Sequence, residues 1–114
     1  MIHTDYRWEI RERDGLLVVR LFGEIDHHNA VRLRGDVDDL LLGKRPRRLV
    51  FDLAHVDFMD SAGMGFLMGR CRLMQELGGV MAVQAPTPRV LKMLRLCGME
   101  RFMEIETDRK EAKK

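Results

Sequence analysis

Apolar residues follow two different periods along the chain, and the first stretch has the short period of β-strands. Residues 6–13 and 16–23 are extended runs joined by Asp14 and Gly15. An Asp-Gly pair between two such runs is typical of a β-hairpin, because glycine tolerates the positive φ of a type I′ turn. The second run is almost continuously apolar, which predicts a strand covered on both faces.

The next stretch changes to the period of an amphipathic helix. Asn29 is predicted to be its N-cap, with the side-chain oxygen accepting an early helical N–H. Gly43 is predicted to end this helix in the left-handed conformation. Residues 49–53, LVFDL, then form a short buried strand. The core positions of the helix are Ala30, Leu33, Val37, Leu40 and Leu41.

A second helix is predicted from Ser61 to about residue 77, because the helical period returns there. Gly78 and Gly79 end it, and residues 80–83 form the next strand. One face of this helix is predicted to hold Met64, Leu67, Met68, Cys71 and Met74.

A third helix is expected to begin after Thr87, which caps it, with Pro88 at the first position, where a missing N–H costs nothing. Gly98 closes this helix, and residues 101–105 supply a last edge strand. Its core side is predicted to hold Val90, Leu91, Leu94 and Cys97.

The resulting order, ββαβαβαβ, predicts an α/β fold with a mixed, mostly parallel sheet against which the helices pack. With 114 residues the chain has the size of one domain with a single core. We expect this domain to span residues 1–106. Residues 107–114 form a charged tail that cannot bury apolar surface.

Composition and charge narrow the function. The formal charge is only +2, and no aromatic residues interleave with the basic cluster of residues 45–48, which argues against nucleic-acid binding. No apolar run reaches the roughly 20 residues that span a bilayer, and the N-terminus lacks the apolar core of a signal peptide. Cys71 and Cys97 are predicted to be buried free thiols, as in a reducing cytoplasm. We therefore expect a cytoplasmic protein.

Enzymatic and metal-binding motifs are incomplete. Ser61 lies in MDSAG, where Met59 replaces the first glycine of the hydrolase G-x-S-x-G turn. His27 and His28 are adjacent and have no HxxxH or CxxC companions, so no metal site is predicted. The glycines near Ser61 do not form a phosphate-binding loop either. We expect neither a catalytic residue nor a cofactor.

Ser61 is nevertheless unusual, because it is the only serine in the chain. Asp60 is predicted to cap the helix that Ser61 begins, and Met59, Met64 and Phe66 are expected to form a partly exposed apolar patch around it. A phosphate there would add about −1.5 to −2 charges where the helix dipole tolerates them. A like charge on a partner about 5 Å away would oppose docking by roughly 3 kcal/mol, or about a hundredfold in affinity.

Two motifs, LFGEIDHHNA and FMDSAGMGFLMGR, together resemble the STAS domains of bacterial anti-sigma factor antagonists, and GEIDHHNA is most similar to the sporulation sigma-F branch. The resemblance covers about residues 5–106 and implies a STAS-type sheet. It implies that Ser61 is phosphorylated by an anti-sigma factor that is an ATP-dependent serine kinase, and that a phosphoprotein phosphatase restores the unmodified form. It also implies that Asp26 contacts the partner, that Asp60 orients the Ser61 hydroxyl, and that Gly63 and Gly65 allow close approach.

The sequence therefore predicts a substrate of a kinase and a phosphatase rather than an enzyme, which is monomeric when free and binds neither nucleic acid nor membrane. A scaffold STAS module of stress signalling and a small-ligand-binding STAS domain remain alternatives. The predicted partner-binding residues are Asp26, His27, Asp60, Ala62, Gly63, Met64 and Phe66.

Overall fold

The computed structural model describes residues 6–107 and confirms the predicted order of elements. The elements are β1 (Tyr6–Arg13), β2 (Leu16–Ile25), α1 (Ala30–Lys44), β3 (Arg48–Met59), α2 (Ser61–Glu76), β4 (Val80–Gln84), α3 (Pro88–Leu96), a 3₁₀ turn (Met99–Arg101) and β5 (Glu104–Glu106).

The opening hairpin has the predicted turn. Asp14 and Gly15 have φ angles of 47° and 86°, so both central residues are left-handed, as a type I′ turn requires. β1 pairs with β2 antiparallel, from Tyr6 opposite Gly23 to Arg13 opposite Leu16.

The five strands lie in the order β1-β2-β3-β4-β5, and every pair after the hairpin is parallel. The helices α1, α2 and α3 connect consecutive parallel strands, and each connection leads to the next strand on the same side of the previous one. Because such connections are right-handed, the three helices lie on one face of the sheet. Leu17, Val19 and Leu21 of β2 are fully buried, whereas Leu16 and Val18 are only half-buried. One face of β2 is therefore fully covered and the other only partly, so the expectation of a strand covered on both faces holds for one face alone.

β3 is longer than predicted and determines where the site lies. It continues to Met59 rather than ending at residue 53, and beyond Asp52 it pairs with β2 alone. Because β2 and β3 run in parallel, they end at the same edge of the sheet, which we call the carboxyl edge. The loop into α1 and the start of α2 both lie there.

Other boundaries depart from prediction in limited ways. α1 runs past Gly43, and Arg45 takes the left-handed conformation, its N–H donating to the Leu41 carbonyl at 2.8 Å. The strand predicted over residues 101–105 is shorter, because the 3₁₀ turn precedes it. α3 begins as predicted, with the Thr87 side chain accepting the N–H of Val90.

The cysteines divide between core and surface. Cys71 is buried as predicted, but Cys97 is exposed, so its assignment to the core was wrong. Leu91, also predicted to be in the core, is half-buried. Within residues 6–107, no helix is long and apolar enough to cross a membrane. From residue 108 onwards the predicted tail lies outside the described residues, and the domain boundary at residue 106 stays a prediction.

Candidate functional site

Asp60 holds the first turn of α2, the helix that Ser61 begins. Its Oδ1 accepts the backbone N–H groups of Ala62 at 2.9 Å and Gly63 at 3.2 Å, which confirms the predicted N-cap. Ser61 is exposed at the carboxyl edge. Among the described residues, the Asp60 carboxylate accepts the backbone N–H groups of His27, Ala62 and Gly63, and none of these hydrogen bonds involves the Ser61 hydroxyl. The role implied for Asp60, orienting that hydroxyl, gains no support from these contacts.

The loop before α1 is held by its own side chains. Oδ1 of Asp26 accepts the N–H of His28 at 2.9 Å and of Asn29 at 3.3 Å, while the Asp26 carbonyl accepts the N–H of Ala30. Asn29 is buried, and its amide donates to the Glu24 carbonyl at 2.8 Å. Asn29 makes no side-chain cap, so that prediction was wrong. Asn29 does occupy the N-cap position, but the side chain that accepts N–H groups just before α1 is that of Asp26.

A second oxygen of Asp60 joins this loop to α2. Oδ2 accepts the backbone N–H of His27 at 3.2 Å, and Nδ1 of the His27 ring lies 3.5 Å from the same oxygen. The His27 and His28 rings are 4.0 Å apart between centroids and both are exposed. One carboxylate thus fixes the position of Ser61 relative to the loop that carries Asp26.

These contacts also set the charge state of Asp60. Partial burial disfavours the carboxylate, but the N–H groups of Gly63, His27 and Ala62 together outweigh that effect and lower the pKa of Asp60 below its ordinary 3.8. The site therefore carries a fixed negative charge beside Ser61 at neutral pH. Any partner that docks there has to tolerate or neutralise it.

Gly63 is needed because α2 packs directly on the end of β2. A Cβ at this position would lie 2.7 Å from the Ile25 carbonyl oxygen and 3.1 Å from Cβ of Met59. The Ile25 carbonyl also faces the N–H of Asp60 at 3.4 Å. The predicted close approach at Gly63 is therefore an internal one, between α2 and β2.

The apolar patch predicted around Ser61 is not exposed, and that expectation was wrong. Met59, Met64 and Phe66 are 1%, 5% and 3% exposed and belong to the core. The ring of Phe66 packs edge-on against Phe51 of β3, with centroids 5.4 Å apart. The helical spacing predicted that Phe66 lies away from the face of α2 that carries Leu67, Cys71 and Met74. In the structure the neighbouring face of α2, which carries Phe66 and Arg70, is buried as well.

A groove between α1 and α2 reaches Phe66 from outside. This α1/α2 groove has a volume of about 330 Å³ and begins at Ala62, next to Ser61. It exists because α2 presents small residues there: a Cβ on Gly65 or Gly69 would meet nothing within 4 Å. The remaining wall is formed by Ala30, Val31, Arg34 and Arg70.

Arg70 fixes the two helices on either side of that groove, and sequence reasoning missed it. Its Nε lies 2.7 Å from Oδ1 of Asp38 on α1, a close ion pair in which the N–H does not point at the oxygen. Its Nη1 donates to the Phe66 carbonyl at 3.2 Å. Burial, reinforced by the charge of Arg34 and opposed by Asp38, lowers the pKa of the Arg70 guanidinium from its ordinary value. Only the four-residue spacing from Phe66 could have pointed to this arginine.

In the described part of the chain, no three His, Cys, Asp or Glu side chains come close enough together to bind a metal ion. The thiol of Cys71 lies away from Ser61, facing the Phe102 carbonyl, and burial raises its pKa. The chemistry available at the carboxyl edge is thus that of an exposed hydroxyl beside carboxylates and a histidine pair.

Comparison with known proteins gives three consistent likenesses. The chain is 36% identical over 97 residues to an anti-sigma F factor antagonist of Paenibacillus polymyxa, covering 85% of this chain and 83% of that one. It is 29% identical over 92 residues to the anti-sigma F factor antagonist of Lysinibacillus sphaericus, covering 81% and 79%. Among solved structures, the anti-sigma factor antagonist SpoIIAA in its unphosphorylated form superposes with a TM-score of 0.76 at 26% identity, covering 93% and 92%.

The family model of the STAS domain matches residues 7–112, nearly the whole chain. The five-stranded mixed sheet with its three helices, and the start of α2 at the carboxyl edge, agree with that assignment. This chain belongs to the STAS domain family.

Proposed function

We propose that this protein is an anti-sigma factor antagonist whose unphosphorylated form binds an anti-sigma factor and frees a sigma factor. The partner is an ATP-dependent serine kinase that phosphorylates Ser61 and so ends the binding, and a phosphatase restores it. The names of the relatives at 36% and 29% identity support the antagonist role and favour a sigma factor of the sigma-F class.

The exposed Ser61 at the first position of α2 is the observation that carries the proposal. A kinase needs an accessible hydroxyl, and the chain has few alternatives. Thr87 is half-buried and its oxygen accepts the N–H of Val90, so it serves α3. The remaining hydroxyl residues are at positions 4, 6 and 107 of the sequence, and neither of the two that the structure describes, Tyr6 and Thr107, begins a helix.

The structure changes how a phosphate on Ser61 would act. The N–H groups of Ala62 and Gly63, which could have received it, are already bound by Asp60. The phosphate would therefore gain from the helix dipole but be opposed by the neighbouring carboxylate, and solvent would screen both effects. Fold stability should change little, so the consequence of modification falls on the docking partner.

The proposed docking surface consists of Ser61, the loop residues Asp26 and His27, and the mouth of the α1/α2 groove at Ala62. Phe66 would be reached only through that groove. Asp60 is 29% exposed by its side chain and faces both the loop and α2. Gly63 and Met64, predicted to touch the partner, are buried and instead position the others.

Phosphorylation with the cognate anti-sigma factor and ATP tests the proposal, read by intact mass and peptide mapping. The wild type should gain one phosphate on Ser61, and Ser61→Ala should gain none while still binding the kinase. Ala62→Ser provides a matched control, because it adds a second hydroxyl without removing the first, and its phosphate should remain on Ser61. Phosphate on the Ser61→Ala protein would show that the site is wrong.

A further inference from the structure

A second groove, separate from the α1/α2 groove, lies at the carboxyl edge between β3 and α3. This α3 groove has a volume of about 240 Å³ and is lined mainly by apolar side chains. Its walls are Phe58 and Met59 of β3 with Met93 and Leu96 of α3, and Arg89 and Lys92 stand at its rim.

The exposed side of α3 combines an apolar side chain, Leu96, with basic side chains. Leu96 is 73% exposed, the largest fraction among the large apolar side chains of the described residues. α3 carries three cations and no acid in nine residues, PRVLKMLRL. The guanidinium of Arg89 stacks over the Phe58 ring, 5.5 Å from its centroid, so one cation is held at the rim. Neither Arg89 nor Lys92 makes an ion pair within residues 6–107.

The groove lies next to the docking surface proposed for Ser61. Met59, which forms one of its walls, is two residues before Ser61, so their Cα atoms are within about 8 Å. A protein that docks at Ser61 is therefore within reach of the groove. The charges differ between the two places: Asp26 and Asp60 lie beside Ser61, whereas the rim of the α3 groove is basic.

We infer that the α3 groove is a second contact for the same anti-sigma factor and receives an acidic segment of it with an apolar anchor side chain. The inference rests on the proposed function. The anchor fills the space between Phe58 and Leu96, and carboxylates of the segment pair with Arg89 and Lys92. The surface of the anti-sigma factor would then carry basic residues where it faces Asp26 and acidic residues where it faces Arg89 and Lys92 of α3.

A lipid surface fits these observations less well. An interfacial helix binds a membrane with its apolar face, and the apolar face of α3, Val90 and Leu94, is buried in the core. A narrow groove between a strand and a helix accepts one or two side chains rather than a bilayer. Complementary charges at such a rim chiefly accelerate association and make it sensitive to salt.

Binding of the purified anti-sigma factor to three full-length proteins tests the inference. The first is wild type, the second Arg89→Glu/Lys92→Glu, and the third Arg13→Glu/Arg72→Glu, a control with the same charge change. Arg13 and Arg72 are exposed and lie toward the opposite edge of the sheet. We expect the first double variant to bind about tenfold more weakly, with a smaller salt dependence, and the control to bind like wild type. Leu96→Ser should also weaken binding without lowering the melting temperature.

Equal binding by all three proteins, or equal weakening by both double variants, would overturn the inference while leaving the proposed function intact. If wild type itself fails to bind the anti-sigma factor, the proposed function falls and the inference with it. Sedimentation with phosphatidylglycerol vesicles that depends on Arg89 and Lys92, together with unchanged anti-sigma factor binding, would assign the groove to a lipid and also overturn the inference.

Discussion

Replacing Gly63 by alanine tests whether α2 is seated on the end of β2 as tightly as its contacts indicate. The added methyl group would lie 2.7 Å from the Ile25 carbonyl oxygen, whereas ordinary contacts begin near 3.4 Å, so α2 or β2 has to move by 0.7 Å (3.4 − 2.7). The obstacle is backbone, and Met59 closes another side at 3.1 Å, so little can yield.

The magnitude follows from two opposing terms. Overpacking of this kind costs about 1–3 kcal/mol, and exchanging glycine for alanine within a helix returns about 0.5–1 kcal/mol. We therefore expect Gly63→Ala to lower the free energy of unfolding by roughly 1–2 kcal/mol, which lowers the melting temperature by about 4–8 °C per kcal/mol.

Gly65→Ala is the matched control on the same helix, because its methyl group would meet nothing within 4 Å. It should raise stability by about 0.5–1 kcal/mol. Unfolding by guanidinium chloride, followed through the fluorescence of Trp8, the single tryptophan, measures both. If the two variants shift stability in the same direction and by similar amounts, the packing argument is wrong.

Three further changes test the polar contacts of the site. Asp60→Ala removes the cap of α2 and its tie to His27, and should cost about 1–2 kcal/mol in urea unfolding at pH 7. Because the folded-state pKa of Asp60 is lowered, this stabilisation is present above about pH 3.8 and is lost as the pH falls further; a loss that persists undiminished well below that pH would contradict the charge argument. Asp26→Asn keeps the acceptor for the His28 N–H and should weaken anti-sigma factor binding, measured by calorimetry, at unchanged stability. Asp26→Ala should in addition cost about 1 kcal/mol, and equal stability of the two variants would show that the loop does not need this cap.

The sequence predicted best those features that depend on a few neighbouring residues. The Asp14-Gly15 turn and the caps at Asp60 and Thr87 follow from local chemistry and were all correct. The end of α1 was misplaced, because Arg45 rather than Gly43 takes the left-handed conformation that follows the helix, and its N–H satisfies the Leu41 carbonyl.

Features made by distant residues were not predictable in this way. Phe66 of α2 is buried where it packs against Phe51 of the sheet, and Arg70 is buried where it pairs with Asp38 of another helix. The tie between Asp60 and His27 joins residues 33 positions apart. The sequence could identify Ser61 as a candidate, but not the grooves on either side of it, since these depend on which side chains are missing from a surface.

Negative charge on Ser61 is expected to prevent docking of the anti-sigma factor without disturbing the fold. Ser61→Asp and its uncharged counterpart Ser61→Asn, titrated against the anti-sigma factor in a calorimeter and melted in parallel, test it most directly. Ser61→Asp should bind at least about tenfold more weakly than Ser61→Asn, a difference of about 1.4 kcal/mol, while the two melt within a few degrees of wild type. Equal affinity of the two variants, or early melting of Ser61→Asp alone, would contradict it.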